Sequence, residues 1–224
     1  MLLALAISQP AIGDSTTPSQ DQVCETLVSK AKALKGLSRQ ETLQHALARC
    51  QQPEVSPEVR AKAVVEAGWI LDLNEQIRLY SSSVQLLREE APNSEFIPKT
   101  LVKLATAVTK QGRAQEGLEY AEESLAERER LFGEASREYL RGLIVVGVAH
   151  STSDGDAPTK PHLTTGYDYL QEAVRSATEH FGPKDPTTVS AKIQLALILR
   201  EMGRYADAEA LDDEILDLEF DEGW

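Results

Sequence analysis

Apolar residues recur at three- and four-residue intervals along most of the chain, the spacing of one helical face, and β-branched alternation is nearly absent. The sharpest example lies in 181–218, where two such stretches flank Gly203-Arg204. Pro186 lacks an amide donor and restrains Asp185, so a helix is predicted to begin near Thr187. Val189, Ile193, Ala196, Leu197 and Leu199 form its apolar stripe. Gly203 tolerates the left-handed backbone of a helix stop, and a second helix then turns Ala208, Leu211, Ile215 and Leu218 inward.

The same landmarks return at a near-constant interval. Gly147 follows Gly133 by 14 residues, as Ala196 follows Gly182. Ala105 precedes Gly147 by 42, and Val65 precedes Ala105 by 40. From Gly147 to Ala196 is 49, and the seven extra residues fall in 150–163, HSTSDGDAPTKPHL, a loop-forming composition. Small residues occupy three recurring places, as Ala105, Gly117 and Ser124, then Gly147, Gly166 and Ala173. In the last unit they are Ala196 and Ala208, with Ile215 at the third place.

A period near 42, three small-residue places and the string FGP-x-D-P resemble the long tetratricopeptide (TPR) repeats of the kinesin-light-chain type. Ile215 departs from that pattern. The resemblance implies an all-α, right-handed α-α superhelix, a solenoid of about four helical hairpins at 57–91, 97–132, 136–181 and 187–219. It also implies a non-enzymatic scaffold whose concave groove holds a peptide or partner helix, with the first helix of each hairpin inside. An N-terminal helical hairpin at 20–52 precedes the solenoid, residues 1–19 are signal-like or disordered, and 220–224 form an acidic tail.

In that first hairpin, Val23, Leu27, Ala31 and Leu34 share one face and Leu43, Ala46 and Leu47 another, around a turn at Gly36-Leu37. Facing positions then sum to about 74, and Cys24 and Cys50 satisfy this, so a disulfide between them is expected. Such a bond needs an oxidising compartment. The run MLLALAIS, ahead of Pro10 and small residues, reads like the later part of a secretory signal without its basic start. Together these predict a periplasmic or secreted protein. The alternative is a cytoplasmic one whose cysteines are small buried hydrophobes. Farther on, Ser56 is predicted to cap a helix with Pro57 at its first position, and Trp69 and Tyr80 to fill gaps between helices, the alternative being that they mark a binding surface.

Composition narrows the function. Of 224 residues 42% are apolar and 26% charged, and no run is long and apolar enough to span a membrane. The net charge of −13 without a basic aromatic patch disfavours nucleic acid. There is no G-x-S-x-G, phosphate-cradling glycine loop or H-E-x-x-H, so neither an enzyme nor a cofactor is expected. His150, Asp154, Asp156 and His162 match no EF-hand or zinc spacing and read as a solvated loop. The inner helices carry cations despite the acidic balance. Lys99, Lys103, Thr106, Lys110, Arg137, Arg141, Lys192 and Arg200 are therefore the candidate partner-binding residues, for an extended, partly acidic peptide or a helix. Alternatives are an accessory of a TonB-type or secretion machine using its convex surface, or a subunit that binds a small regulatory ligand.

Overall fold

The computed structural model describes residues 18–152 and 160–220. Among these residues there are ten α-helices and no strand. They are α1 (Gln20–Ala33), α2 (Gly36–Cys50), α3 (Pro57–Ala67), α4 (Leu73–Glu90), α5 (Phe96–Lys110), α6 (Ala114–Phe132), α7 (Arg137–Thr152), α8 (Lys160–Phe181), α9 (Pro186–Glu201) and α10 (Tyr205–Phe220). A 3-10 turn, Gly68–Ile70, follows α3. No described helix is long and apolar enough to cross a membrane. The signal-like start and the last four residues lie outside the described residues.

Each helix packs on its neighbours in sequence, and α1 on α3, α3 on α5 and α7 on α9 pack as well. The odd-numbered helices therefore form an inner layer and the even-numbered ones an outer layer. Short polar side chains set the starts. Ser19 and Gln22 make a reciprocal capping box on α1, and Asp72 accepts from the Glu75 amide at 2.9 Å. Asp185 does the same for Thr187 at 2.9 Å, with Pro186 at the first helical position. At α3 the expectation half fails. Pro57 takes its place, but the Ser56 side chain makes no cap bond, and its backbone N–H donates to Asp21 Oδ1 at 2.8 Å, tying α3 to α1.

The FG pairs close their helices through Gly133 (φ 77°) and Gly182 (φ 88°), a backbone region that costs glycine nothing. The loop after Phe181 is clamped from the preceding hairpin. Arg137 pairs with Asp185, which holds that carboxyl below its usual range, and the guanidinium lies 4.0 Å from the centre of the Phe181 ring.

Small residues let the paired backbones touch. A Cβ on Gly117 would stand 2.9 Å from the Ala105 carbonyl oxygen, and one on Gly147 3.0 Å from the Gly166 carbonyl. Ser124 Oγ donates to the Pro98 carbonyl at 2.9 Å at the third place. Ala196 and Ala208 are buried in the last hairpin, and Ile215, at the third place there, is half-buried. Between α6 and α7 the buried Arg128 donates to the Glu138 carboxylate (2.8 Å) and carbonyl (3.0 Å), so burial, which depresses its pKa, is offset by a partner.

Three expectations need correction. Cys24 and Cys50 do meet across the α1–α2 hairpin, but as free thiols, fully buried in one cluster with Val28, Ala46 and Val55. Burial and the Cys24 contact push the Cys50 thiol up. The facing-position rule located a packing contact, and small apolar side chains satisfy it without a bond. The argument for an oxidising compartment loses that support. Tyr80 is buried over Gly68, as expected of a gap filler, whereas Trp69 is 56% exposed on the 3-10 turn. Finally, the α9 stripe is not one face. Ala191, Leu195, Ala196, Ile198 and Leu199 are buried, while Ile193 and Leu197 are 43% and 48% exposed.

Replacing Gly166 with alanine should lower stability by about 1–3 kcal/mol, because the new methyl would meet the Gly147 carbonyl and Ile198 Cδ1 at 2.7 Å. An ordinary helical glycine gains stability on the same change, so the sign of the shift in urea midpoint checks the backbone contact.

Candidate functional site

The inner layer opens at one place. α5 and α7 are successive inner helices that scarcely touch, unlike α3 and α5 or α7 and α9. A cavity of about 470 Å³ lies between them. Val102, Ala105, Thr106, Thr109 and Lys110 of α5 form one wall, and Ile144, Val145, Val148, Ala149 and Thr152 of α7 the other. Gly117 and Ala121 of α6 lie at its back, and Gln194 of α9 reaches its far side. The Thr106 hydroxyl is engaged by the Val102 carbonyl at 2.9 Å, which leaves little polar character on that wall.

The repeat register extends this surface. Ile144 and Val148 follow Val102 and Thr106 by 42 residues, and the exposed Ile193 and Leu197 follow Ile144 and Val148 by 49. Trp69 precedes Thr109 by 40, the interval between Val65 and Ala105, but it sits on the 3-10 turn beyond α3, against Arg39 of α2. Arg39 lies 5.7 Å from its ring centre. The inner surface is thus apolar from α5 to α9, where the charge pattern of the inner helices led us to expect a basic one; on α3 the same register falls on Lys62 and Glu66, which pair with Glu25 and Lys32.

The candidate cations mostly serve the fold. Lys192 is 8% exposed and donates to Glu214 of α10 at 2.8 Å. Arg200 pairs with Asp212, Arg137 with Asp185, and Arg141 with Glu138 at 2.8 Å. Lys99 pairs with Glu95 at 2.9 Å and lies over the Phe96 ring. Lys103 and Lys110 are the exceptions: both are exposed, and among the described residues neither has an ion-pair partner. Lys110 lines the cavity, and Lys103 holds the register of Val145 and Gln194, which also line it. Of the eight candidates, then, Lys103, Thr106 and Lys110 gather at the groove.

The residues missed are Val145, Val148, Ile193 and Leu197. Their signal was in the sequence, as apolar residues at matching register positions on the side of each inner helix away from its buried face.

The tetratricopeptide repeat pattern matches residues 99–138 and 188–218. No curated protein matches the chain. Among solved structures, the nearly identical TPR-like kinesin-light-chain repeats of Podosopora anserina superpose with a TM-score of 0.66 at 15% identity, covering 89% of this chain and 92% of that one. BtubC of P. vanneervenii gives 0.64 at 17% identity, with 92% of each chain covered. A Rap protein complexed with Competence and Sporulation Factor gives 0.65 at 14% identity, with 89% of this chain against 52% of that one. The chain therefore has the fold of a tetratricopeptide-repeat solenoid, an architecture of protein-interaction scaffolds.

The Lys192 site separates structural cations from groove cations. Lys192→Met should leave stability within about 1 kcal/mol of the parent, because Glu214 is 59% exposed and water can solvate it alone. Lys192→Glu should cost roughly 3 kcal/mol or more, since it buries a carboxylate beside another; thermal and urea unfolding of both variants checks the pair.

Proposed function

We propose that this tetratricopeptide-repeat solenoid is a non-enzymatic recognition scaffold that holds an amphipathic segment of a protein partner along its concave face. The observation that carries this reading is the belt from Val102 through Val145 and Val148 to Ile193 and Leu197, apolar surface that no other part of the described chain covers. A surface of this kind returns free energy only when a partner removes it from water, at about 25 cal/mol per Å² buried. Lys103 and Lys110 at its edge add charge complementarity, so the occupant carries apolar side chains on one face and a carboxylate that meets these ammonium groups. The Rap neighbour, complexed with Competence and Sporulation Factor, supports a scaffold of similar course holding a partner.

The lining favours side-chain packing over main-chain pairing, because no sheet edge is offered and the walls are helix faces. Affinity then rests on a few anchors seated between α5 and α7, where desolvation is deepest. The acidic balance of the whole chain, −13, works against anionic partners in general. Attraction is confined to the groove, which sharpens selection for a segment with one acidic position rather than many.

Selection of displayed 12-residue peptides against the full chain should enrich sequences with apolar residues three or four apart and one nearby Asp or Glu. Binding of a selected peptide, read by fluorescence anisotropy, should fall at least about tenfold in Val148→Glu, a loss of about 1.4 kcal/mol. Lys103→Glu with Lys110→Glu should reverse the preference for an acidic position, with the helical circular dichroism spectrum unchanged. Equal binding by all variants, or enrichment of peptides that crosslink to α6 and α8, would reject the groove in favour of the convex surface.

A further inference from the structure

A second opening lies in the outer layer, away from the groove. Between the end of α2 and the second half of α4, a cavity of about 220 Å³ is lined by Gln51, Ser83, Gln85 and Glu89, with Arg60 of α3 among them. The groove is apolar, and this cavity is polar. From Arg78 to Arg204 every arginine pairs with a carboxylate. Arg60 has no such partner among the described residues, although Glu89 lines the same cavity. The Glu89 carboxylate instead accepts from the Gln85 side-chain amide at 2.9 Å.

The donors around this cavity are held in place. Arg60 Nε is covered and has no hydrogen-bond partner, so the side chain is fixed along its stem and meets the cavity with its Nη groups. Gln51 Nε2 donates to the Arg60 carbonyl at 3.3 Å, which ties the turn after α2 to α3. Ser83 is 6% exposed on the cavity wall, and its hydroxyl makes no hydrogen bond to the described chain. Its neighbour Ser82, by contrast, donates to the Leu79 carbonyl at 3.1 Å. A buried hydroxyl without a partner is costly, and an acceptor seated in the cavity removes that cost.

We infer that Arg60 and Ser83 form a binding site for a single carboxylate group on the convex side of the solenoid. The planar guanidinium presents paired N–H groups that a carboxylate meets with both oxygens, and the Ser83 hydroxyl adds a third donor. Phosphate is disfavoured, because it carries about two negative charges and would stand beside Glu89 with one cation to meet it. Glu89 also offsets the charge of Arg60 beyond a few ångströms, so the cavity selects at contact and long-range attraction stays with the groove. The cavity is smaller than the roughly 300–1,000 Å³ that encloses a whole cofactor, which restricts the occupant to a small free acid or one acidic side chain of a partner.

The full chain is titrated at constant ionic strength with N-acetyl-Ala-Asp-Ala-amide and, separately, with sodium succinate, and binding is read from the backbone amide ¹H–¹⁵N signals of residues 82–86. The aspartate peptide should shift these signals saturably, and N-acetyl-Ala-Asn-Ala-amide should leave them in place. Saturation by succinate as well assigns the site to free acids, and saturation by the peptide alone to a partner's side chain; either result supports the site. Arg60→Gln should weaken binding at least about tenfold and Ser83→Ala about threefold, the shares of a charge-assisted and an ordinary hydrogen bond. Glu89 is exposed, so Glu89→Gln should fold as the parent does and tighten binding by about twofold to fivefold, which tests the site in a second, independent variant. No saturable shift, an equal response to the asparagine peptide, unchanged affinity in Arg60→Gln, or inorganic phosphate bound by the parent as tightly as the carboxylate would overturn the inference. Lys103→Glu with Lys110→Glu should leave this site unchanged, so its failure is distinguishable from failure of the groove.

Discussion

Backbone contact between the two helices of a hairpin is the constraint from which the rest of the shape follows. Gly147 and Gly166 approach so closely that neither has room for a methyl group, and Gly117 meets the Ala105 carbonyl in the same way. With the paired helices this close, their side chains must be buried against the hairpins before and after, which is what makes the arrangement an array and not a bundle. Arg137 then fixes the step between two hairpins by gripping Asp185 and Phe181 from α7. A bulkier residue at a contact point disturbs the arc as well as the local packing, because each hairpin is positioned only by its neighbours.

The groove is the other side of that arrangement. Where α5 and α7 part, their facing side chains are mostly apolar, and no element among the described residues covers them. The cations of the inner helices lie elsewhere in the design. Lys192, Arg200, Arg137 and Arg141 each meet a carboxylate, so they contribute to the fixed geometry of hairpins and loops. Exposed pairs such as Arg141 with Glu138 are worth about 1 kcal/mol or less each, whereas the Lys192 ammonium is buried. The larger effect of these pairs is on specificity: of the candidate cations, they leave Lys103 and Lys110 as the two without an ion-pair partner among the described residues.

Much of the fold was legible because TPR-like hairpins are written in local signals: Pro186 after Asp185, glycine after each FG phenylalanine, and small residues 42 apart. The site was less so. A helical periodicity shows that Ile193, Ala196 and Leu197 are apolar, but not which of two surfaces each faces, and the inner helix of a solenoid has two. Counting charge along the sequence likewise showed that Lys192 and Arg200 exist, but not that Glu214 and Asp212 of the next helix stand across from them. The cysteine pair shows the same limit: facing positions can be deduced from a turn, bond formation cannot. His150 and His162, twelve residues apart and unlike any ligand motif, come together only because α8 begins a turn earlier than its apolar pattern indicates.

The length of the belt also constrains what can lie in it. Packed helices stand about 8–10 Å apart and the cavity parts α5 from α7, so the two steps from α5 through α7 to α9 span at least about 20 Å. An extended segment covers that in about six residues at ~3.3 Å each, and a helix in about thirteen at 1.5 Å. Crossing all three inner helices, an extended occupant would direct alternate side chains to the groove, and only about three could anchor. A helix laid across the same span would present three or four residues at i, i+3, i+4 and i+7, with a wider apolar stripe. The walls are shallow outside the cavity between α5 and α7, and Ile193 and Leu197 are a single turn apart on α9. On the proposed reading, that pairing matches the wide stripe of a helix better than the single-file contacts of an extended chain, and favours a short amphipathic helix as occupant, its acidic position toward Lys103 and Lys110.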